Sequence, residues 1–550
     1  MWYNNGMAIP AGTGAGYGFS PRPGSRRIAA YPGENCPPAG GTQARKGETV
    51  LNYQSTRDSR ISVSAAQAIA QGICGNGGLF VPEAFPKINA AELSELMKTD
   101  YRGRAARIMG LYLTDFTQEE IADCTERAYE REKFSGGSPA PVVTRNGGVS
   151  FLELWHGPTC AFKDMALQIL PLLLTRSLKK IHSGLGALIL VATSGDTGKA
   201  ALEGFRDVEG TRILVFYPQD GVSAMQERQM RAQEGSNVSV VAVQGNFDDA
   251  QAGVKQIFAD AEIREKIAEN GLMFSSANSI NWGRLLPQIA YYFSAWCDLA
   301  AAGAIAPDEE IDFCVPTGNF GNILAAYYAK KMGLPVRRLI CASNENNVLT
   351  EFLTTGVYDR NRKFHSTISP SMDILVSSNL ERLLYDVTGR DDRKVCAWMK
   401  QLSETGRYEV DGTTLERIRR VFSAGFCDDE ETKEEIRRVY REEHYLCDPH
   451  TAVAARVCRE YREKEKCAAH AVVVSTASPF KFAPDVLGAV SPETETGRDV
   501  FRAVRALSGL TGVPVPAPIA ELEAKPIRFS QSCAKDGMGA AVLEAAARKA

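Results

Sequence analysis

No apolar run in the 550-residue chain reaches the 18 or so residues that a membrane-spanning helix needs, and its N-terminus lacks the continuous apolar core of a signal peptide. Charge of one sign is also missing. The 63 Lys and Arg against 66 Asp and Glu leave a net charge of -3, which offers no basic footprint for nucleic acid or an anionic membrane. The 13 cysteines include no CxxC pair and the six histidines no zincin spacing, so a zinc-stapled fold and a metal hydrolase both lack their ligands, and no metal site is expected. Scattered, odd-numbered cysteines are the usage of a reducing compartment, and a cytoplasmic location is expected. What remains is hydrophobic content of 44%, enough for a large buried core.

Four regions are expected. Residues 1–46 are rich in Gly, Pro, Ala and Ser without helical or strand period, and such a stretch cannot bury enough apolar surface to offset its ordering entropy. It reads as a disordered gene-start extension. Residues 47–145 read as a small N-terminal helical domain: a short helix over 64–71 closed by Gly72, then helical pattern over 90–131, with Thr117 and Glu120 spaced as a capping box. Residues 146–525 alternate short apolar strands with helices. The runs at 187–191, 213–216, 238–243, 311–315, 336–341 and 471–475 predict an α/β region of mostly parallel sheets with helices on both faces, in two subdomains with the site between them. A charged stretch at about 350–446 within it reads as solvated helix, and residues 526–550 as a C-terminal helix.

Ligands in such sheets bind beyond the carboxyl ends of strands, so the loops there are where chemistry is sought. The stretch from Leu154 to Ala166 contains a Gly-Pro turn that ends in Lys163, with Asp164 at the positive end of a helix expected over 165–175. Lysines are rarely buried, yet this one lies between Phe162 and an apolar helical run. Desolvation there lowers a lysine pKa and makes the amine a usable nucleophile, while the alternative is a lysine that snorkels at a helix start.

Three further loops suit anions. Thr193 to Lys199 places hydroxyls, glycines and backbone N–H groups at a helix start, without the GxxxxGK[ST] spacing of a Walker loop. Pro316 to Asn322 has Gly318 and Gly321 three apart ahead of an apolar helix expected from Ile323, where backbone can wrap a phosphate. Ser275 to Arg284 sets amides and an arginine before a long helix expected over 285–299. Arg284 can clamp a phosphate bidentately, or Asn278 and Ser279 simply cap the helix. A candidate amine with several anion-suited loops points to one phosphorylated cofactor and one phosphorylated substrate.

Eight segments, NYQSTRDS, GNGGLFVPE, HGPTCAFKD, ATSGDTGKAA, SANSINWGR, PTGNFGN, CDPHTAVA and STASPFKFAP, run in order from residue 52 to residue 484. Together they resemble the threonine synthases, pyridoxal-phosphate (PLP) enzymes of the tryptophan-synthase-β-like fold class, and the longer microbial and fungal branch more than the plant branch. The resemblance implies that Lys163 holds PLP as a Schiff base and then moves protons. It implies that Gly318, Asn319, Phe320, Gly321 and Asn322 bind the cofactor phosphate, and that a hydroxyl meets the pyridine nitrogen, Thr476 or its neighbour Ser475. Asp196 stands where related enzymes carry an asparagine near the cofactor's 3-hydroxyl; it could equally order Thr197 and its loop. Ser194, Thr197, Asn281 and Arg284 are the candidates for the substrate phosphate, with Lys199 behind them.

The implied reaction takes O-phospho-L-homoserine and water to L-threonine and phosphate. A phospho-lyase that releases 2-oxobutanoate from the same substrate, a threonine dehydratase, and a silent relative that only binds PLP are the competing readings. His156 is expected as a loop hydrogen-bonder and His450 as a helix-start residue. The sequence leaves monomer and homodimer open.

Overall fold

The structure, a computed structural model, describes residues 50–548 apart from Ser194, Asp220, Glu495, Thr496 and Arg498. The extension expected over residues 1–46 lies outside the described residues. Two sheets carry the chain. The first has six strands in the order Phe422–Phe426, Val336–Ser343, Ile311–Pro316, Ala471–Ser475, Val149–Glu153 and Val142–Arg145. All its neighbouring pairs are parallel except the last. The second has five strands, Ser532–Cys533, Val238–Val243, Thr211–Pro218, Gly186–Ala192 and Leu272–Ser275, all parallel. Val238–Val243 and Ile311–Pro316 are buried at every position, which is why their sequences do not alternate: helices cover both faces.

Four helices carry the site: α1 (Asp196–Phe205), α2 (Trp282–Ala301), α3 (Gly321–Met332) and α4 (Pro449–Glu465). The first three each follow a strand, as the alternating pattern predicts. α2 gains a turn over the expected 285–299 because Asn281 caps it, its Oδ1 accepting from Gly283 N at 2.8 Å. It is buried on nearly all sides. The N-terminal region packs against its start, where the Tyr53 and Tyr112 rings lie 5.2 and 5.4 Å from Trp282 between centroids, so one hydrophobic core runs through both.

The helix expected over 165–175 is instead two, Asp164–Leu167 and Leu170–Lys180. Pro171 causes the break: it has no N–H, and its ring excludes a helical carbonyl four residues back, at Leu167. That carbonyl turns toward α1, so close to Gly204 that a Cβ there would sit 1.9 Å from the oxygen.

Three regional expectations need correction. The N-terminal region, expected as a helical domain with a short strand and turn over 52–58, carries a three-stranded antiparallel sheet of Tyr53–Ser55, Asp58–Val63 and Phe80–Pro82, with the helix Ala65–Gln71 between its last two strands in sequence. Its last strand, Val142–Arg145, pairs with Val149–Glu153, so the first sheet begins before residue 146. The last 25 residues likewise contribute an edge strand at Ser532–Cys533 as well as the helix Met538–Ala547. Residues this short or this far apart in sequence give no local signal of the partner they pair with.

A buried strap over 377–382 ties the N-terminal region to the glycine loop. Glu381 takes Arg57 bidentately at 2.9 and 2.9 Å and Thr56 Oγ1 at 2.6 Å. Next to it Arg382, with no exposed surface, donates to Phe80 O at 3.0 Å, Ile280 O at 2.6 Å and the Asn379 side chain. Asn379 in turn donates from both backbone and side chain to Asn319 O, at 3.1 and 3.0 Å. Arg382→Met strands two buried carbonyls and an amide oxygen, each costing about 1–3 kcal/mol. Urea unfolding is expected to give a loss of about 3 kcal/mol or more, together with faster proteolysis near residue 319; a loss under 1 kcal/mol would contradict the strap.

Candidate active site

Lys163 enters the site on a loop clamped to the STASP segment: Ala161 bridges Ala477, and Phe162 N donates to Thr476 O at 2.8 Å. Asp164 does not stand free at a helix start as its position suggests. It folds back, its two oxygens accepting from Thr159 N and Oγ1 at 2.8 Å each, and burial raises its carboxyl to about 6. Gly157 leaves room for this, since a Cβ there would lie 2.6 Å from the Asp164 side chain.

The snorkelling alternative for Lys163 fails, because the residue is 8% exposed. Its Nζ lies 3.1 Å from Ser371 Oγ, 3.4 Å from Asp196 Oδ2 and 4.7 Å from the centre of the Phe162 ring. Burial lowers the Lys163 pKa. Asp196 opposes that shift, and the charges of Lys481 and Arg284 reinforce it.

Asp196, the first residue of α1, is the common acceptor. Lys481 Nζ approaches its Oδ1 at 2.7 Å and Gln226 Nε2 donates to the same oxygen at 3.0 Å, while Ser371 Oγ donates to Oδ2 at 3.4 Å. Although burial alone would raise it, these partners, Lys481 foremost, hold the Asp196 carboxyl far below the usual carboxylate range. The sequence reading did not single out Lys481 or Ser371. The lysine in SPFKFA was available as a signal, whereas Ser371 sits in a single 3-10 turn, Pro370–Met372, with no motif of its own.

The glycine loop turns from Ile311–Pro316 into α3 through Phe320, whose φ of 62° opens the helix. α3 therefore starts at Gly321, two residues before the expected Ile323. Among the described residues, no acceptor meets the N–H groups of Gly318, Asn319 and Phe320, and a helix start adds more free donors. Gly318 is needed as glycine because a Cβ would lie 2.6 Å from Ser371 O. Asn322 faces inward, its Oδ1 accepting from Tyr291 and Tyr292 hydroxyls at 2.5 and 2.6 Å, and its buried Nδ2 has no partner among the described residues. Unpaired donors at a helix N-terminus, close against the segment that touches Lys163, fit the phosphate of a cofactor.

The substrate-phosphate candidates divide. Ser194 lies outside the described residues. Thr197, half-buried in the first turn of α1, has a hydroxyl with no partner among the described residues. Arg284 is 3% exposed and donates from Nη1 to Ala277 O at 2.8 Å, its Nε is buried without a partner, and no ion pair engages it among the described residues. Burial lowers this uncompensated guanidinium to about 10. Asn281 is a correction. Its Oδ1 caps α2 and its Nδ2 donates to Ile69 O at 3.0 Å, so the folded chain uses the side chain that a ligand would need. Lys199 also points elsewhere, to Glu203 at 3.0 Å and to Gln233. It lines a cavity of about 1090 Å³ whose walls include Glu203 and Pro158 but not Lys163.

Ser475 and Thr476 are also told apart by their surroundings. Ser475 Oγ is surrounded by Trp155 Nε1, Tyr445 OH and Thr451 Oγ1 at 3.1, 3.2 and 3.1 Å, whereas the buried Thr476 hydroxyl meets no partner among the described residues. His450 is a helix-start residue as expected, with a further duty. Its Nε2 accepts Ser371 N–H at 3.1 Å, which puts its proton on Nδ1, 2.7 Å from Asp448 Oδ1. His156 is the expected loop hydrogen-bonder, 2.7 Å from Glu153 and 3.3 Å from Ser135 Oγ.

Two buried lysines on one carboxylate, with buried Arg284 unpaired among the described residues, call for an anion. Millimolar inorganic phosphate is expected to raise the melting temperature of the cofactor-free chain by a few degrees over chloride at matched ionic strength, and Arg284→Met to remove most of that gain. An equal gain in the variant would place the anion elsewhere.

A family profile described as "Threonine synthase N terminus" matches residues 52–129, and one described as "Pyridoxal-phosphate dependent enzyme" matches residues 139–419. The chain is 40% identical over 447 residues to "Threonine synthase-like 1" of Macaca fascicularis, covering 79% of this chain and 59% of that protein. It thus spans about six-tenths of the length of that relative. To the threonine synthase of Pseudomonas aeruginosa it is 39% identical over 435 residues, 78% of this chain and 89% of that one. The crystal structure of PLP-bound threonine synthase from Brucella melitensis superposes with a TM-score of 0.80 at 35% identity, covering 90% of this chain and 100% of that chain. The chain belongs to the threonine synthase family of pyridoxal-phosphate-dependent enzymes.

Proposed function

We propose that this chain converts O-phospho-L-homoserine and water to L-threonine and phosphate, the last step of threonine biosynthesis. One observation carries the reading. Buried Lys163 and Lys481 share the single carboxylate of Asp196, and buried Arg284, close enough to Lys163 to lower its pKa, has no ion pair among the described residues, all beside a glycine loop whose amides meet no acceptor among those residues. A cofactor phosphate and a substrate phosphate are the anions that such a surplus fits. Family membership agrees with this reading.

The residues that would hold PLP are Lys163, bonded through Nζ, the amides of Gly318 to Asn322 around the phosphate, and Thr476 at the ring nitrogen. Bound there, PLP supplies an electron sink for the electrons left when a proton leaves carbon. Thr476 suits the nitrogen better than Ser475 because Ser475 is already engaged by three side chains. A hydroxyl does not keep that nitrogen protonated, so the sink is a mild one. Freed by the substrate's own amine, Lys163 Nζ would take the proton from Cα, give it up, and only then, neutral again, take one from Cβ. Ser371 Oγ, 3.1 Å away, steadies that amine through the turn that His450 holds. Arg284 and Thr197 bind the substrate phosphate at Cγ and keep it as it leaves, and Asp196 orders Lys163 and the start of α1.

Water must stay out until phosphate has gone and the double bond has moved, or the product becomes 2-oxobutanoate. The low exposure of Lys163, Asp196 and Arg284 supports that order of events. The described cysteines are all free thiols, in keeping with a cytoplasmic setting.

The test is to give PLP-loaded protein O-phospho-L-homoserine and follow phosphate, threonine and 2-oxobutanoate together. Threonine is expected one for one with phosphate. Phosphate with 2-oxobutanoate would move the assignment to a phospho-lyase, and no phosphate would remove the substrate. Lys163→Ala is expected to lower turnover about a thousandfold or more, with loss of the cofactor's protein-bound absorbance band.

A further inference from the structure

One carboxylate cannot neutralise two ammonium groups, and the geometry around Asp196 treats its two lysines unequally. Lys481, at the 3-10 turn Pro479–Phe482, has no exposed side-chain surface. It reaches Asp196 Oδ1 at 2.7 Å and donates to Thr159 O at 3.0 Å, so two of its three protons have short, directed acceptors. Lys163 has only the longer contact to Oδ2, 3.4 Å, and an approach to Ser371 Oγ, which itself donates to Oδ2. Gln226 completes the shell on the oxygen that Lys481 uses.

We propose that Lys481 is a positioning residue: it is the standing counterion of Asp196, and by satisfying that carboxylate it leaves Lys163 free to act as a neutral amine. The proposal deepens the reading above and rests on Lys163 being the cofactor's amine. Without Lys481, Asp196 would have Lys163 as its only ammonium partner and would hold it protonated, and a protonated amine can neither attack a carbonyl carbon nor take a proton from Cα. A buried carboxylate fixed by Lys481 and Gln226 is a rigid stop for the Lys163 amine, and a neutral amide would give it less purchase.

The other charged and titratable groups about Lys163 do not substitute for this pair. Arg284 on α2 adds positive charge, and Asp164, next in the chain, is turned away to Thr159. Cys160 in the same loop is a thiol that burial pushes up to about 12, and His450 on α4 reaches Lys163 only through Ser371. Burial, Lys481 and Arg284 all lower the Lys163 pKa while Asp196 raises it, which fits the same division of labour.

The test reads Lys163 directly, in the full chain freed of cofactor, by competitive acetylation across pH with peptide mapping. In Lys481→Met the Lys163 labelling midpoint is expected to rise by about one pH unit or more, so that labelling near pH 7.5 falls about tenfold. Adding Asp196→Asn to that variant should bring the midpoint back down, and Lys481→Arg should leave it near that of the unaltered chain. If Lys481→Met does not fold, Lys481→Gln, which keeps a donor for Thr159 O, carries the same measurement. An unmoved midpoint, or a rise that Asp196→Asn fails to reverse, overturns the proposal: Lys481 would then be only a buried ion-pair partner, altering stability and not the amine. Borohydride reduction in the presence of PLP, followed by mapping of the pyridoxyl peptide, tests separately which lysine holds the cofactor, so failure of that reading is told apart.

Discussion

The carboxylate of Asp196 has to be kept charged although it is buried, and the arrangement of the candidate site follows from that constraint. A lone buried carboxylate would protonate or unfold the loop around it; a pair at 2.7 Å with further donors in place does neither. Meeting the requirement brings four segments distant in sequence to one point: α1 with Asp196, the turn with Lys481, the helix carrying Gln226 and the loop of Lys163. The surplus positive charge that results, with Arg284 added, is costly to bury and suits an anion.

Close packing lets these loops converge at the ends of parallel strands. Where backbones must approach, the chain has glycine: at Gly195 a Cβ would meet Gln226 at 2.3 Å, and at Gly318 it would meet Ser371 O at 2.6 Å. Each of these contacts involves a residue that bonds to Asp196 or lies on the glycine loop. The glycines therefore serve the site through the distance between segments as well as through turn conformation.

The N-terminal region takes part without touching the chemistry. Thr56 and Arg57 hold Glu381, while Arg382 bonds to Phe80 O, to Ile280 O ahead of α2 and to Asn379, which grips Asn319 O. A family motif near the start of the chain is thus linked to the glycine loop through buried polar contacts. Such links hold one geometry because every member would be costly to leave unpaired.

Much of this was legible in the sequence. Buried strands alternating with helices, Gly318 and Gly321 before an apolar helix, and a lysine between Phe162 and an apolar run are local patterns, set by backbone sterics and by burial along a single segment. They determined the fold class, and they marked the loops and the lysine on which the proposed site is built. Asn281 was misread because its type suits a cap and a ligand equally, and only its neighbours Ile69 and Gly283 decide between them. Ser475 and Thr476 are adjacent hydroxyls that differ only in what packs on them from residues 155, 445 and 451. Which lysine balances Asp196, and that Ser371 reaches Lys163 across more than 200 residues of chain, only the tertiary structure decided. Electrostatic partnership depends on distances of a few ångströms between segments, and periodicity along one segment carries no information about them.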